Sequence, residues 1–225
     1  MCGIVGISAQ RDVVQNLIAG LKALEYRGYD SAGIAVLTAQ GVRRLRAKGK
    51  VAELEARQQT TPLAGFSGVA HTRWATHGVP SEDNAHPHAS AGVCVVHNGI
   101  IENHAALRVQ LQQAGFVFES QTDTEVIAHL IVHLQADGRS LLAAVQAALA
   151  RLEGAYAIAV LSETDPGLLI GARRGSPLVL GLGEGEQYLA SDPQARSSRP
   201  RSAAMPSSAA NTGITCSRRS TSSRR

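Results

Sequence analysis

Two periods of apolar residues alternate along the chain, and they predict most of its elements. Segment 3–8, GIVGIS, is a short apolar run of the kind a buried strand presents. Asp12, with Gln15 three positions later, marks a helix start; Val13, Val14, Leu17, Ile18, Leu21 and Leu24 then share one helical face until Gly28 stops it. AGIAVL at 32–37, GVAHTRW at 68–74 and VCVVHNGI at 93–100 read as strands, each running into a loop rich in Gly, His or Asn. Three further helices are expected, near 103–114 behind Asn103, near 124–136 and near 140–152. AYAIAVL, LLIGARR and PLVLGL, within 155–182, suggest neighbouring antiparallel strands. Strands come in groups and do not alternate strictly with helices, so the pattern favours an α+β layering over a parallel doubly wound sheet.

Composition changes this picture in one place. Hydrophobic residues make up 44% of the 225 and charged residues 18%, as in a soluble globular protein. No apolar run approaches the roughly 20 residues of a membrane span, and no secretory signal opens the chain, so the cytoplasm is the default location. Of the net charge of +4, the seven arginines of 196–225 supply +7, leaving −3 on residues 1–195. That tail is dominated by Ser and Arg, has few large apolar residues and keeps no period, so disorder is expected from about Ala195 onward. An arginine-rich nucleic-acid arm is one reading of it; an ordinary disordered extension or an out-of-frame stretch of coding sequence is another. Cys2, Cys94 and Cys216 form neither a disulfide set nor a C-x-x-C spacing, so each thiol is judged singly.

Cys2 raises a question of chemistry. If Met1 is removed, Cys2 carries a thiol and an α-amine on one residue, and an amine titrating near 8 can accept the thiol proton directly or through water. The alternative is a small apolar residue at the start of a strand. Acyl transfer also needs donors where negative charge develops; Asn98 and Gly99 offer a side-chain amide and a closely approaching backbone N–H, although Asn-Gly is also a common hairpin turn. In HTRWATHG at 71–78, Arg73 can fork onto a carboxylate, Thr76 and His77 can add donors, and Trp74 can shield a reacting group. A surface ion pair beside a half-buried Trp explains the same residues. Asp123, before an apolar helix, is either a helix cap or a carboxylate that binds an ammonium group. The eight histidines, HPH at 86–88 among them, include no pair with metal-ligand spacing and a carboxylate partner, so no metal is expected.

Taken together the motifs say more than any one of them. MCGIVG at 1–6, LEYRGYDSAG at 24–33, AHTRWATHG at 70–78, NAHPH at 84–88, VVHNGIIEN at 95–103 and TDTEV at 122–126 resemble the glutaminase domain of the glutamine–fructose-6-phosphate aminotransferases. The likeness runs on through GSPLVLGLG at 175–183 and LASD at 189–192, so it covers residues 1–195. It implies a four-layer αββα sandwich of two antiparallel sheets, the N-terminal-nucleophile amidohydrolase fold. It further implies that Cys2 attacks the amide of L-glutamine, with Asn98 and Gly99 as oxyanion hole. Arg73, Thr76, His77 and Asp123 would bind the substrate, Arg27 would support the nucleophile, Trp74 would gate the ammonia route, and His86 would lie at the site's edge. No cofactor is implied.

The resemblance also sets an expectation for the chain beyond residue 195. In that family more β-structure, a linker and two sugar-isomerase domains come next, and fructose 6-phosphate binds in the latter. The Ser/Arg tail in their place suggests a truncated or frameshifted chain, incomplete at its C-terminal end, with sheet edges uncovered. Such a chain would not make glucosamine 6-phosphate alone. The competing reading is an inactive remnant or an arginine-tailed binding module.

Overall fold

The protein, here as a computed structural model, is described over residues 2–75, 78–195, 202–203 and 212–218. In chain order the elements are β1 (Gly3–Ala9), α1 (Val14–Leu24), β2 (Ser31–Thr38), β3 (Gly41–Lys48), α2 (Val51–Thr60), β4 (Ser67–Arg73), β5 (His88–Ser90) and β6 (Val93–Gly99). There follow α3 (His104–Gln113), α4 (Thr124–Gln135), α5 (Leu141–Leu149), β7 (Tyr156–Ser162), β8 (Leu168–Arg174), β9 (Val179–Gly183), β10 (Glu186–Ala190), β11 (Ser202–Ala203) and β12 (Thr212–Arg218). Short 3₁₀ turns lie at Glu25–Arg27 and Pro193–Ala195.

The strands form two antiparallel sheets, in the orders β11-β9-β10-β1-β4-β2-β3 and β12-β8-β7-β6-β5. Period-two alternation assigns each strand's side chains to a layer. Ile4, Val69, Cys94, Val96, Ala157 and Ala159 face the space between the sheets. Their neighbours Val5 and Ala70 face outward onto α1 and α2, with Leu17, Leu21 and Leu54. Val95, Ile158 and Val160 face α3, α4 and α5, with Leu107, Leu130 and Val145. This is the expected four-layer αββα arrangement. The several alanines on the inner faces let the sheets lie close, and that closeness brings the ends of β1, β4 and β6 to one place.

Several local expectations change. β9 does not continue the β7–β8 ladder; it pairs with β10 in the other sheet. The switch falls at Gly175-Ser176-Pro177, where proline lacks the N–H a continuing ladder requires. Asn103 does not cap α3: its side chain spans to the backbone of Arg151 and Glu153 at 2.8 and 3.2 Å. Asp12, by contrast, opens α1 through Val14 N–H at 3.0 Å, and its second oxygen takes Gly65 N–H at 2.8 Å. Within 196–225, expected to be disordered, β11 and β12 extend the two sheets at the β9 and β8 edges. Edge pairing uses backbone groups alone, so a stretch without apolar period can still supply it. Met1, Thr76, His77 and the remaining tail residues lie outside the described residues.

Ile4 is fully buried between the sheets, two residues from Cys2. Ile4→Ala is expected to lower the unfolding free energy by about 2–5 kcal/mol, read as a shift in urea midpoint at unchanged slope.

Candidate active site

Cys2 lies where three strand ends meet. β1 pairs with β4 in a register that sets Gly3 opposite Thr72, so Cys2 falls beside Arg73 and Trp74. The main-chain N–H of Trp74 donates to Cys2 Sγ at 3.2 Å. The Cys2 carbonyl takes two more donors, Asn98 Nδ2 at 2.9 Å from the end of β6 and Arg27 Nε at 3.2 Å from the turn after α1. Arg27 is held in turn by Asp192, 3.0 Å away, whose carboxylate also accepts from the Tyr26 hydroxyl at 3.0 Å. Gly28 makes this approach possible, because a Cβ there would stand 2.7 Å from Arg73 C and 3.0 Å from Trp74 N.

A cavity of about 280 Å³ opens over Cys2, at the small end for ligand sites. Arg73, Asn98, Gly99 and Asp123 line it, with Trp74 about half exposed at its rim and packed edge-on against Tyr29 at 5.3 Å. Arg73 is buried, not a surface ion pair; its guanidinium donates to Gly78 O at 3.2 Å. Burial pulls its pKa down from the usual guanidinium value, while Cys2, Asp30 and Asp123 act the other way; an arginine stays protonated under such a balance. The Asp123 side chain makes no cap bond to α4, and Oδ2 instead accepts Ile101 N–H at 2.9 Å. The Asn98-Gly99 pair is not a hairpin turn. Both residues belong to β6, with Gly99 opposite Tyr156; at φ +131° and with Ala155 O only 2.0 Å from where a Cβ would stand, that position admits glycine alone.

The two loops that carry Arg73's partners and Asp123 are tied together. The Asn84 side chain donates to Val79 O at 3.0 Å and accepts from Gln121 N at 2.8 Å. Glu125, almost fully buried, accepts from the N–H groups of Glu119 and Ser120, both at 2.8 Å, and from the Ser120 hydroxyl at 2.6 Å. That hydroxyl continues to Thr122 Oγ1 and thence to His88 Nε2, each step 2.9 Å. Burial pushes the Glu125 carboxyl up, but His129, the Ser120 hydroxyl and the two backbone donors outweigh it and bring the pKa to about 2.

The thiols differ in kind. Burial raises the pKa of Cys2, partly offset by the Trp74 backbone and by Arg73, so Cys2 rests as a thiol and needs a base to react. Cys94, sealed between the sheets, is pushed to about 12 and is inert. His86 lines the cavity wall, where burial and the neighbouring His71 drive its pKa well down and leave it neutral. Among the described residues no group of His, Cys, Asp and Glu is arranged to hold a metal ion, and no helix there is long and apolar enough to cross a membrane.

Of the residues singled out from the sequence, Cys2, Arg27, Arg73, Trp74, His86, Asn98, Gly99 and Asp123 all line this one cavity. Thr76 and His77 lie outside the described residues. Sequence reasoning missed Asp192, Thr122 and Asn84 as supports, and Ser176 and Pro177 as wall. The position of Asp192 within LASD and of Asn84 within NAHPH was the available signal.

Two stacked antiparallel sheets flanked by helices, with a cysteine at position 2, an amide donor, a buried cation and a carboxylate in one cavity, have the arrangement of an amidotransferase-type site. A family model described as a glutamine amidotransferase domain matches residues 71–196, and the chain belongs to that family. Within it, residues along 85% of the chain are 58% identical to the glutamine–fructose-6-phosphate aminotransferases (isomerizing) of Bordetella pertussis and Shewanella oneidensis, and 60% identical to that of Pseudomonas putida. The chain spans about a third (32%) of the length of each. Among solved structures, the glutamine phosphoribosylpyrophosphate amidotransferase of B. subtilis superposes with a TM-score of 0.75 at 28% identity, over 86% of this chain and 42% of that one. A class-II glutamine aminotransferase domain protein from Silicibacter pomeroyi shares the fold, with a TM-score of 0.61 at 19% identity, over 85% of this chain and 89% of that one.

Because the folded pKa of Glu125 lies below the ordinary carboxylate value, its contribution to stability is complete above about pH 4.5 and is lost as the pH falls towards about 2. Urea unfolding between those limits should show that acid-side loss in the native protein and a flatter profile in Glu125→Gln.

Proposed function

We propose that the chain hydrolyses the side-chain amide of L-glutamine through a thioester on Cys2, with Met1 removed so that the Cys2 α-amine is free. The observation that carries this reading is the convergence on the Cys2 side chain and carbonyl of Trp74 N–H, Asn98 Nδ2 and Arg27 Nε, within 2.9–3.2 Å, from three remote segments. Cys2 rests as a thiol, so the sulfur must lose its proton as it attacks, and the α-amine on the same residue is the base closest by covalent structure.

Sulfur attacks the amide carbon of glutamine while the α-amine takes the thiol proton. The oxygen, now negative, is met by the second Asn98 N–H and by the Gly99 main chain. The C–N bond breaks, the amine returns the proton to nitrogen, and ammonia leaves a thioester. Water, deprotonated by the same amine, then releases glutamate and the free thiol. Arg73 suits the α-carboxylate of the substrate and Asp123 its α-ammonium, so the two charges select an amino acid over a simple amide. Thr76 and His77 are proposed to assist Arg73, with Trp74 covering the mouth. Arg27, locked to Asp192, holds the Cys2 backbone, and His86 forms the wall. No cofactor enters this reaction. The ammonia would serve the transfer to fructose 6-phosphate named in the relatives, in a part of those proteins outside the third that this chain spans.

The test is a steady-state assay of ammonia and glutamate release from glutamine by the purified chain, with its N-terminal residue identified. Cys2→Ala should abolish turnover. Asp123→Asn should raise KM for glutamine at least about tenfold, and its kcat should fall less. Turnover that survives Cys2→Ala, or a folded chain beginning with Cys2 that releases no ammonia, would overturn the reading.

A further inference from the structure

We propose that His71 is a positioning residue for this site, acting as an Nε2–H donor that fixes which end of the Asn98 carboxamide faces Cys2. The inference rests on the glutaminase reading for its kinetic consequence and on geometry alone for its structural one.

His71 lies in β4, two residues beyond the inward-facing Val69, so its ring enters the space between the sheets, where it is fully buried. Its Nε2 is 3.0 Å from Asn98 Oδ1 and 2.9 Å from the carbonyl of His97. On the far side of the same carboxamide, Asn98 Nδ2 is 2.9 Å from the Cys2 carbonyl. The two ends of a carboxamide are nearly equal in size, so hydrogen bonding alone decides its orientation. With Nδ2 on the Cys2 carbonyl, both partners of His71 Nε2 are acceptors, and that nitrogen must carry the proton. Turning Asn98 over would set oxygen against the Cys2 carbonyl and NH₂ against the imidazole N–H, two like pairs at hydrogen-bond distance in a buried place.

The opposite nitrogen of the ring supports the same tautomer. His71 Nδ1 is buried with no hydrogen-bond partner among the described residues, so a proton there would find none of them to accept it. The ring stacks on His86 with centroids 4.1 Å apart, and His86 Nδ1 in turn accepts His97 N–H at 3.4 Å. Burial takes the His71 pKa to about 3, so the ring stays neutral under ordinary conditions. His71 touches no reacting atom. Its effect passes through Asn98, whose remaining N–H is thereby left pointing to the sulfur side, where the oxyanion forms.

Two substitutions separate the donor from the ring. His71→Phe keeps a stacking ring without a donor, and His71→Gln keeps an N–H donor of similar reach. The Phe variant is expected to lose about 10- to 100-fold in kcat with KM for glutamine within about twofold, and Gln to recover most of it. In an Asn98→Ala background the Phe substitution should cost less than about twofold more, as expected of residues acting through one group. Alkylation of Cys2 by iodoacetamide, which forms no oxyanion, should proceed at the native rate in the His71→Phe and His71→Gln proteins. A Phe variant with native kcat, or equal losses in both backgrounds, would overturn the proposal.

A readout on the native protein needs neither activity nor a variant that folds. ¹⁵N NMR of the His71 ring should show the proton on Nε2 and a bare Nδ1, with the Asn98 side-chain amide protected from exchange. A proton on Nδ1 would refute His71's role whatever the activity. The expected tautomer in a protein inert to glutamine would leave that role standing and remove the glutaminase reading instead.

Discussion

The site depends on how the start of the chain is tied down. Chain termini are usually the loosest part of a domain, yet Cys2 is bonded through its sulfur and its carbonyl to residues 74, 98 and 27. Each tie has its own anchor in the fold. Arg27 is fixed by Asp192, Trp74 N can approach because residue 28 is glycine, and Asn98 is delivered by a strand of the opposite sheet. Close packing of the two sheets over small inner residues is what brings β6 within reach of β1. Without any one of these anchors the Cys2 sulfur and carbonyl would lose part of what fixes their orientation in the cavity, the property the proposed attack on an amide depends on.

Read singly, the candidate residues were ambiguous for physical reasons that the fold resolves. Asp123 precedes a helix, and in isolation such a carboxylate caps it; here the backbone N–H of Ile101 competes for it and turns it to the cavity. Asn98-Gly99 has the composition of a tight turn, but β7 runs alongside and holds both residues in a ladder. Arg73 has the look of a surface charge, and only the neighbouring strands show that it is buried. The order of several long motifs resolved what local propensity could not, because motif order reflects the whole fold and a single spacing reflects one turn of chain.

What stayed illegible falls into two kinds. Elements lacking an apolar period went unseen: β3 carries Arg43, Arg44 and Arg46 on a sheet edge where charge is tolerated, and α2 is mostly polar. Supports that act across the fold were equally hidden. Asn84 bridging to Gln121, Asp192 beneath Arg27 and Ser176-Pro177 in the cavity wall are contacts between segments tens of residues apart, with no local pattern to announce them. The sheet switch after β8 belongs with these, since antiparallel neighbours in sequence were expected to be neighbours in space. The β11 and β12 pairings show the converse, segments without pattern that find an open sheet edge.

A Cys2 sulfur that attacks the glutamine amide, as proposed, can be trapped covalently. The purified chain would be treated with a diazoketone analogue of glutamine, with and without glutamine in excess, and the adduct located by peptide mass spectrometry. One adduct is expected, on Cys2 at the free N-terminus, suppressed by glutamine and absent from Cys94. A folded, Met1-processed chain that forms no adduct, or an adduct on another residue that glutamine does not suppress, would contradict it.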